Sequence, residues 1–398
     1  SYQNNTDAGT AAIIITGIGN YSGTRKAAFN IRSLTGNVIR NEDELRAALG
    51  SDQGSKDFPV LLILADSFGI SEPIITSENV HAVISGNGET ITMLNQRRPS
   101  EADKKAAMFE IMGSSSLEFD AVKADARLNS RIIYVSENAE FKGDSETELI
   151  AGAAYTYSSG QKSELGGQFI YNLGKTYYNG SISASASNNR FYGAICNEGY
   201  FVLGKSSIIK NVITSSGGAV YNSSRGEFIM EGGLITGAGA GTVGPLGSAV
   251  SNFGKFTMEG GDITSNISGG AAVYNNGTFI MNGGRIDKNE NLTGRTAGLR
   301  MHGISGGGVY QYGGSFEMNG GEITGNKAVE GGGVMIAAGV FTMNGNTALI
   351  SGNTAYDEVG SNTNEANFAN GGGVFIRGGS FIMNGGEISE NIAGCLVT

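Results

Sequence analysis

From about residue 193 onward one short pattern is written seven times, and this repetition constrains the fold more than any other property of the chain. Its fullest copy runs Gly306-Gly-Gly-Val-Tyr310 and then Ser315-Phe-Glu-Met-Asn-Gly-Gly-Glu-Ile-Thr-Gly-Asn326. The opening apolar residue recurs as Ile195, Val220, Val250, Val273, Val309, Val334 and Val374. An aromatic column follows (Phe201, Phe228, Phe256, Phe279, Phe316, Phe341, Phe381), with Leu203, Met230, Met258, Met281, Met318, Met343 and Met383 two residues beyond it. Five residues after the Met stands Ile235, Ile263, Ile286, Ile323 or Ile388, and an Asn closes most units at Asn266, Asn289, Asn326, Asn353 and Asn391. The Phe-x-Met spacing has the two-residue period of a strand with one buried face. Each unit therefore predicts three short strands separated by Gly and Asn corners. No unit could bury its own apolar residues, but stacked copies would place like on like in one continuous core, which is a parallel β-helix. The closing Asn column is expected to form a ladder at a turn.

Composition agrees. Of 398 residues 65 are Gly and 4 are Pro, without the Gly-X-Y period of collagen, and so much Gly disfavours a helix-rich chain. Hydrophobic residues at 39% are too many for disorder. Lys and Arg number 27 against 37 Asp and Glu, a net charge of -10, which argues against nucleic acid as a partner. No run of eighteen apolar residues offers a membrane insertion segment. Ser1 to Gly9 lack a signal-peptide pattern and an initiator Met, so the chain reads as a piece of something longer. Cys196 and Cys395 have no metal or redox spacing. No metal and no cofactor are expected.

Before residue 193 the repeat is degenerate, but short apolar strands persist at Val60–Leu64, Val80–Gly88, Met108–Ile111, Leu117–Phe119 and Ile132–Val135. Ahead of them Asn41–Leu49 predicts a helix, with an Asn cap, an acidic first turn and Gly50 after its end. An amphipathic helix there would cap the open end of a solenoid. The expected organisation is residues 1–36 as the end of a separate module or a linker, 37–192 as cap and degenerate coils, and 193–398 as regular repeats with the last copy truncated. About a dozen coils would extend roughly 60 Å at the usual strand spacing.

Two resemblances follow from particular residues. Gly217-Gly-Ala-Val220, and the Phe-x-x-Asn runs opening at Phe279, Phe316, Phe341 and Phe381, resemble the repeats of polymorphic outer-membrane and autotransporter passenger domains, which are right-handed parallel β-helices. The similarity covers about half the chain and implies the fold strongly; such helices host adhesins and enzymes alike. The chain departs from that family in lacking a membrane barrel. Residues 1–31, with Ile13-Ile-Ile-Thr-Gly-Ile-Gly-Asn-Tyr-Ser-Gly-Thr24, are similar to the last strands of an Ig-like module of Gram-positive surface proteins. Together these resemblances imply an extracellular or cell-surface bacterial protein.

Candidate chemistry is sparse. Glu231 and Glu259 occupy equivalent sites on adjacent copies and are the one pair that could serve a pectate-lyase-like carbohydrate-active enzyme, either lyase or glycoside hydrolase. A second acidic column holds Asp262, Glu322 and Glu387. Both columns admit Asn, Leu or Arg in other copies, as solvent positions in a tolerant ladder would. His81 and His302, the two histidines, read as bystanders. Recognition has better candidates. With Val inward, the next residue points outward, giving Cys196, Tyr221, Ser251, Tyr274, Tyr310, Met335 and Phe375, a column whose aromatics could stack on sugar rings. Spacings between opening residues are 25, 30, 23, 36, 25 and 40, and the excess always falls before the next Gly-Gly-Val, at Gly237–Gly247, Glu290–Ser305 and Thr354–Asn370. A larger irregular stretch is expected over Phe141–Tyr192. Insertions stacked on one edge build binding surfaces on solenoids, and Arg295, Arg300, His302, Tyr356, Asp357, Glu358 and Phe368 are the residues there able to make specific contacts. The sequence thus favours a monomeric, non-catalytic, adhesin-like segment that binds a host or bacterial surface glycan or protein by its loop-bearing edge. The enzyme is the alternative, and a passive structural stalk the third.

Overall fold

The computed structural model describes residues 2–3, 9–16, 24–31, 36–95, 105–127, 131–151, 168–184, 193–214, 217–240, 247–292, 306–358 and 369–396. From Asn37 onward the chain is a parallel β-helix. Three sheets of 11, 13 and 12 strands run its length, and every strand in them pairs in parallel with the equivalent strand of the next coil. They are named here for the residue that faces the core. The valine sheet runs from Ile74–Ile75 to Val374–Ile376, the phenylalanine sheet from Asn37–Ile39 to Ser380–Met383, and the isoleucine sheet from Phe68–Ile70 to Glu387–Ser389. Twelve strand spacings in the phenylalanine sheet correspond to about 58 Å.

The register places like on like, as the repeat demands. Phe201 pairs with Phe228, then Phe256, Phe279, Phe316, Phe341 and Phe381. From Phe201 to Phe341 consecutive rings stand 4.5 to 4.9 Å apart and within 9° of parallel. The backbone spacing of a parallel sheet sets this separation, so the stack follows from the register. The isoleucine column is complete through the two copies where the spacing from Met changes, because Ile209 and Ile350 occupy the same register. At the corner after Met the second Gly takes a left-handed φ, as at Gly261 with φ 88°. A Cβ on Gly261 would lie 2.6 Å from the Gly233 carbonyl oxygen on the preceding coil.

The expected closing ladder is present. Asn266, Asn289, Asn326 and Asn353 each donate Nδ2–H to the Oδ1 of the next, ending on Asn391, at 2.9 to 3.0 Å. Each backbone N–H bonds that same Oδ1, and each Nδ2 also reaches an isoleucine-column carbonyl, as Asn289 does to Ile263 at 2.9 Å. A second, fully buried ladder stands at the end of the valine strands: Asn172, Asn197, Asn222, Asn252, Asn275 and Gln311, linked by Nδ2 donors at 2.8 to 2.9 Å. Strand alternation required it, since in Val-Tyr-Asn an inward Val makes Asn inward too, and a buried amide must find partners.

The stretch Phe141–Tyr192 is not irregular where it is described. It contains strands of all three sheets at Ile170–Asn172, Lys175–Tyr178 and Ser181–Ala184, in register with their neighbours. Substituted slots hide the repeat: Thr176 stands where Phe is usual, and Tyr178 where Met or Leu is usual. Gly143 on the preceding coil makes room for the Tyr178 ring, since a Cβ there would lie 2.8 Å from Cδ2. The coil lengthening also begins as order. Ile267–Ser268, Glu290–Asn291, Lys327–Ala328, Thr354–Glu358 and Ile392–Leu396 form a fourth, five-stranded sheet beyond the closing Asn.

Helix α1, Glu42–Leu49, lies between the first two strands of the phenylalanine sheet, with Asn41 Oδ1 accepting from the Glu44 N–H at 2.9 Å. It buries Leu45 and Leu49 in the core. Glu42 fastens it to the first coil by accepting from Ser71 N–H and Ser71 Oγ–H, both at 2.8 Å. Partial burial pushes the Glu42 carboxyl up, but the bonds from Ser71, Arg46 and Glu72 outweigh this and hold it at about 2. Tyr2–Gln3, Gly9–Thr16 and Thr24–Ile31 form a three-stranded antiparallel sheet that shares no strand pairing with the solenoid among the described residues.

Candidate functional site: a tyrosine groove on the outer face of the phenylalanine sheet

The strands that point Phe and Met inward point their alternate residues outward, and where those are bulky or charged the outer face acquires relief. One groove of about 550 Å³ lies there, lined by residues of five successive coils. In coil order these are Glu118; Lys142, Gly143 and Asp144; Tyr177, Tyr178 and Asn179; Tyr200, Val202, Gly204 and Lys205; and Glu231. Tyr177 and Tyr200 form its centre, with ring centroids 6.0 Å apart and planes tilted by 59°. Tyr177 is 37% exposed. Lys142 holds its ammonium 5.9 Å above the Tyr177 ring and pairs with Glu140 at 2.8 Å. Partial burial, reinforced by Tyr177 and by the Glu227 and Glu231 carboxylates, pushes the Tyr200 hydroxyl above its usual range. It therefore remains protonated at neutral pH and can both donate and accept.

Asp144 serves the fold, because its Oδ1 accepts from Ala121 N–H, Glu146 N–H and Thr147 Oγ–H at 2.8 to 3.2 Å. Asn179 accepts from Ser206 N–H at 2.8 Å. Aromatic faces and polar groups of both signs thus share one lining.

The sequence candidates fall elsewhere, with one exception. Glu231 lines the groove, but Glu259, one coil further on, does not; it is exposed and accepts from Asn282 Nδ2 at 3.0 Å. This bond begins an exposed amide ladder through Asn319, Asn344 and Asn384, so from Glu259 onward the column is a corner column of mutually bonded side chains. In the other acidic column Asp262 is gripped by Arg285 of the next coil through two bonds at 2.9 and 3.0 Å. Among the described residues no group of three His, Cys, Asp or Glu could hold a metal ion. His81 is buried and its Nδ1 meets Ser116 Oγ at 2.8 Å.

The column expected to project half-exposed aromatics is a packed cluster. Tyr274 and Tyr310 are each 4% exposed and join Ala271 and Met335 in a second apolar cluster outside the main core, with Phe375 packed against it. They bury one another. Phe253 stands 5.4 Å from Tyr221 and 5.5 Å from Tyr274, and Tyr312 lies 5.5 Å from Tyr274 and 6.0 Å from Tyr310. Coils 4.8 Å apart cannot separate large neighbouring rings, so a column of aromatics covers itself. Tyr221 and Phe375 are half-buried, and Cys196 is buried, which pushes its thiol up to about 12. Tyr356 lies on the fourth sheet, 5% exposed, with its hydroxyl 2.5 Å from Glu290 Oε1. Asp357 is on the same strand, beside Cys395 of the next coil, and its side chain lies outside the described residues. Arg295, Arg300, His302 and Phe368 also lie outside them.

The sequence reading missed Tyr177 and Tyr200. Both sit on the outward phase of the phenylalanine sheet, but Tyr177 follows Thr176, where the aromatic marker of the repeat is absent. Compared with protein-family models, curated proteins and solved structures, the chain matches none.

Proposed function

We propose that this chain is a non-catalytic recognition segment of a bacterial cell-surface or secreted protein, and that it binds surface glycans of a host or neighbouring cell through the tyrosine groove. The observation that carries the reading is the pair of adjacent tyrosines at the centre of a groove that also presents charged and amide side chains. Tyrosine faces match the apolar faces of sugar rings, and neighbouring hydroxyls, amides and charges match sugar hydroxyls. The resemblance of the repeats to surface passenger domains supports an extracellular setting, and a rigid stack of coils suits the display of such a surface. The proposed binding face is thus an outer sheet face, in place of the loop-bearing edge.

The glycan-cleaving reading is favoured by one observation, the place of Glu231 in the groove. A glycan array followed by a turnover assay separates the two. Binding that is lost in Tyr177→Ala and leaves the glycan intact supports recognition. Release of reducing or unsaturated ends, abolished by Glu231→Gln, would establish the enzyme, and the absence of any glycan bound would refute both.

A further inference from the structure

The groove has a direction. Its lining comes from five consecutive coils and from few positions within each, so its long axis runs across the strands and along the solenoid. Four strand spacings give roughly 19 Å, several times the width of one sugar ring. The groove carries both signs, Lys142 and Lys205 against Glu118, Asp144 and Glu231; Lys142 is paired with Glu140, and Asp144 is held by bonds within its own corner. A polyanion would meet the three carboxylates and a polycation the two ammonium groups, whereas a neutral polymer meets donors and acceptors around an aromatic centre.

Resting on the glycan-binding reading above, we infer that the ligand is a neutral, unbranched oligosaccharide lying parallel to the solenoid axis. Its central units stack on Tyr177 and Tyr200. The units toward one end reach Glu118 and Lys142, and those toward the other reach Lys205 and Glu231. A single sugar engages only the centre; each added unit meets the next coil until the groove is filled.

The test is calorimetric titration of the intact chain with neutral cello-, laminari-, chito- and manno-oligosaccharides of one to six units, together with an oligogalacturonate of matched length. In at least one neutral series affinity is expected to rise by about tenfold or more between the disaccharide and the tetra- or pentasaccharide, and then to level off. Glu231→Gln should weaken the longest oligomer severalfold and the disaccharide much less, whereas Tyr200→Ala weakens all lengths. Equal affinity for the disaccharide and the hexasaccharide, or stronger binding of the galacturonate, would overturn the inference and leave glycan recognition standing. Binding of no saccharide would overturn both.

Discussion

Replacing Asn252 by Ala removes one rung from the buried ladder. Its Nδ2 donates to Asn275 Oδ1 at 2.8 Å and to the Thr278 carbonyl at 3.0 Å, and its Oδ1 accepts from Asn222 Nδ2 at 2.8 Å. A fourth contact, to the Gly254 carbonyl at 3.3 Å, is long and receives no credit. At about 1 kcal/mol per buried neutral bond, three bonds come to about 3 kcal/mol. The control is Asn319→Ala in the exposed ladder, where the same amide-to-amide chemistry at 3.0 Å faces water and its loss should cost about 0.5 kcal/mol or less. Stacked coils can unfold in segments, so the readout should be local. Native-state hydrogen exchange at Asn275 and Thr278 should accelerate by about a hundredfold in Asn252→Ala. Little change should follow Asn319→Ala around its own coil. Equal effects of the two substitutions would refute the claim that burial, rather than ladder formation itself, makes these amides stabilising.

Truncating the middle of the ring stack with Phe279→Ala should cost about 3 to 5 kcal/mol in denaturant unfolding, since the ring is fully buried between Phe256 and Phe316. Gly143→Ala should destabilise by about 1 to 3 kcal/mol by crowding the buried Tyr178 ring, and Tyr178→Leu in the same chain should recover part of that loss. Burial, with Lys56 nearby, holds the His81 imidazole below its ordinary 6.5 against a smaller opposing pull from Glu140. As pH falls below 6.5 the unfolded chain takes up a proton that the folded chain resists, so stability should decline in acid; His81→Gln should flatten that part of the melting profile. With Cys395 replaced by Ser, Cys196 should resist thiol reagents at neutral pH until the chain unfolds, because its thiol lies up near 12.

The columns of the fold were legible because the sequence repeats residue identity at fixed phase, and parallel stacking turns phase into contact. Val220, Phe228, Met230 and Ile235 each sit on their counterparts in the next coil, as that phase predicts. The closing Asn ladder was legible in the same way, but the buried amide ladder went unread, although the alternation that turns Val220 inward also turns Asn222 inward. The coil at Ile170–Ala184 escaped notice because Gly143 and Tyr178 exchange volume between coils, which preserves packing while erasing the motif. The outward Tyr274 and Tyr310 were phased correctly, but phase says only which side of a sheet a residue takes, and neighbouring rings decide whether that side is wet. The groove was hidden for a related reason: its tyrosines belong to two successive coils, and the register pairs Tyr177 with Val202 and Tyr200 with Lys175, so the two rings meet only on the diagonal, 6.0 Å apart.

The two aromatic sets provide the most direct test of the functional account. A saccharide found on the array should be titrated into the wild-type chain, into Tyr177→Ala/Tyr200→Ala and into Tyr274→Ala/Tyr310→Ala, with a melting curve for each. The account predicts that the first pair abolishes binding with little change in melting temperature, while the second lowers the melting temperature and spares binding in the folded protein. Binding that survives loss of Tyr177 and Tyr200 but disappears with Tyr274 and Tyr310 would contradict it.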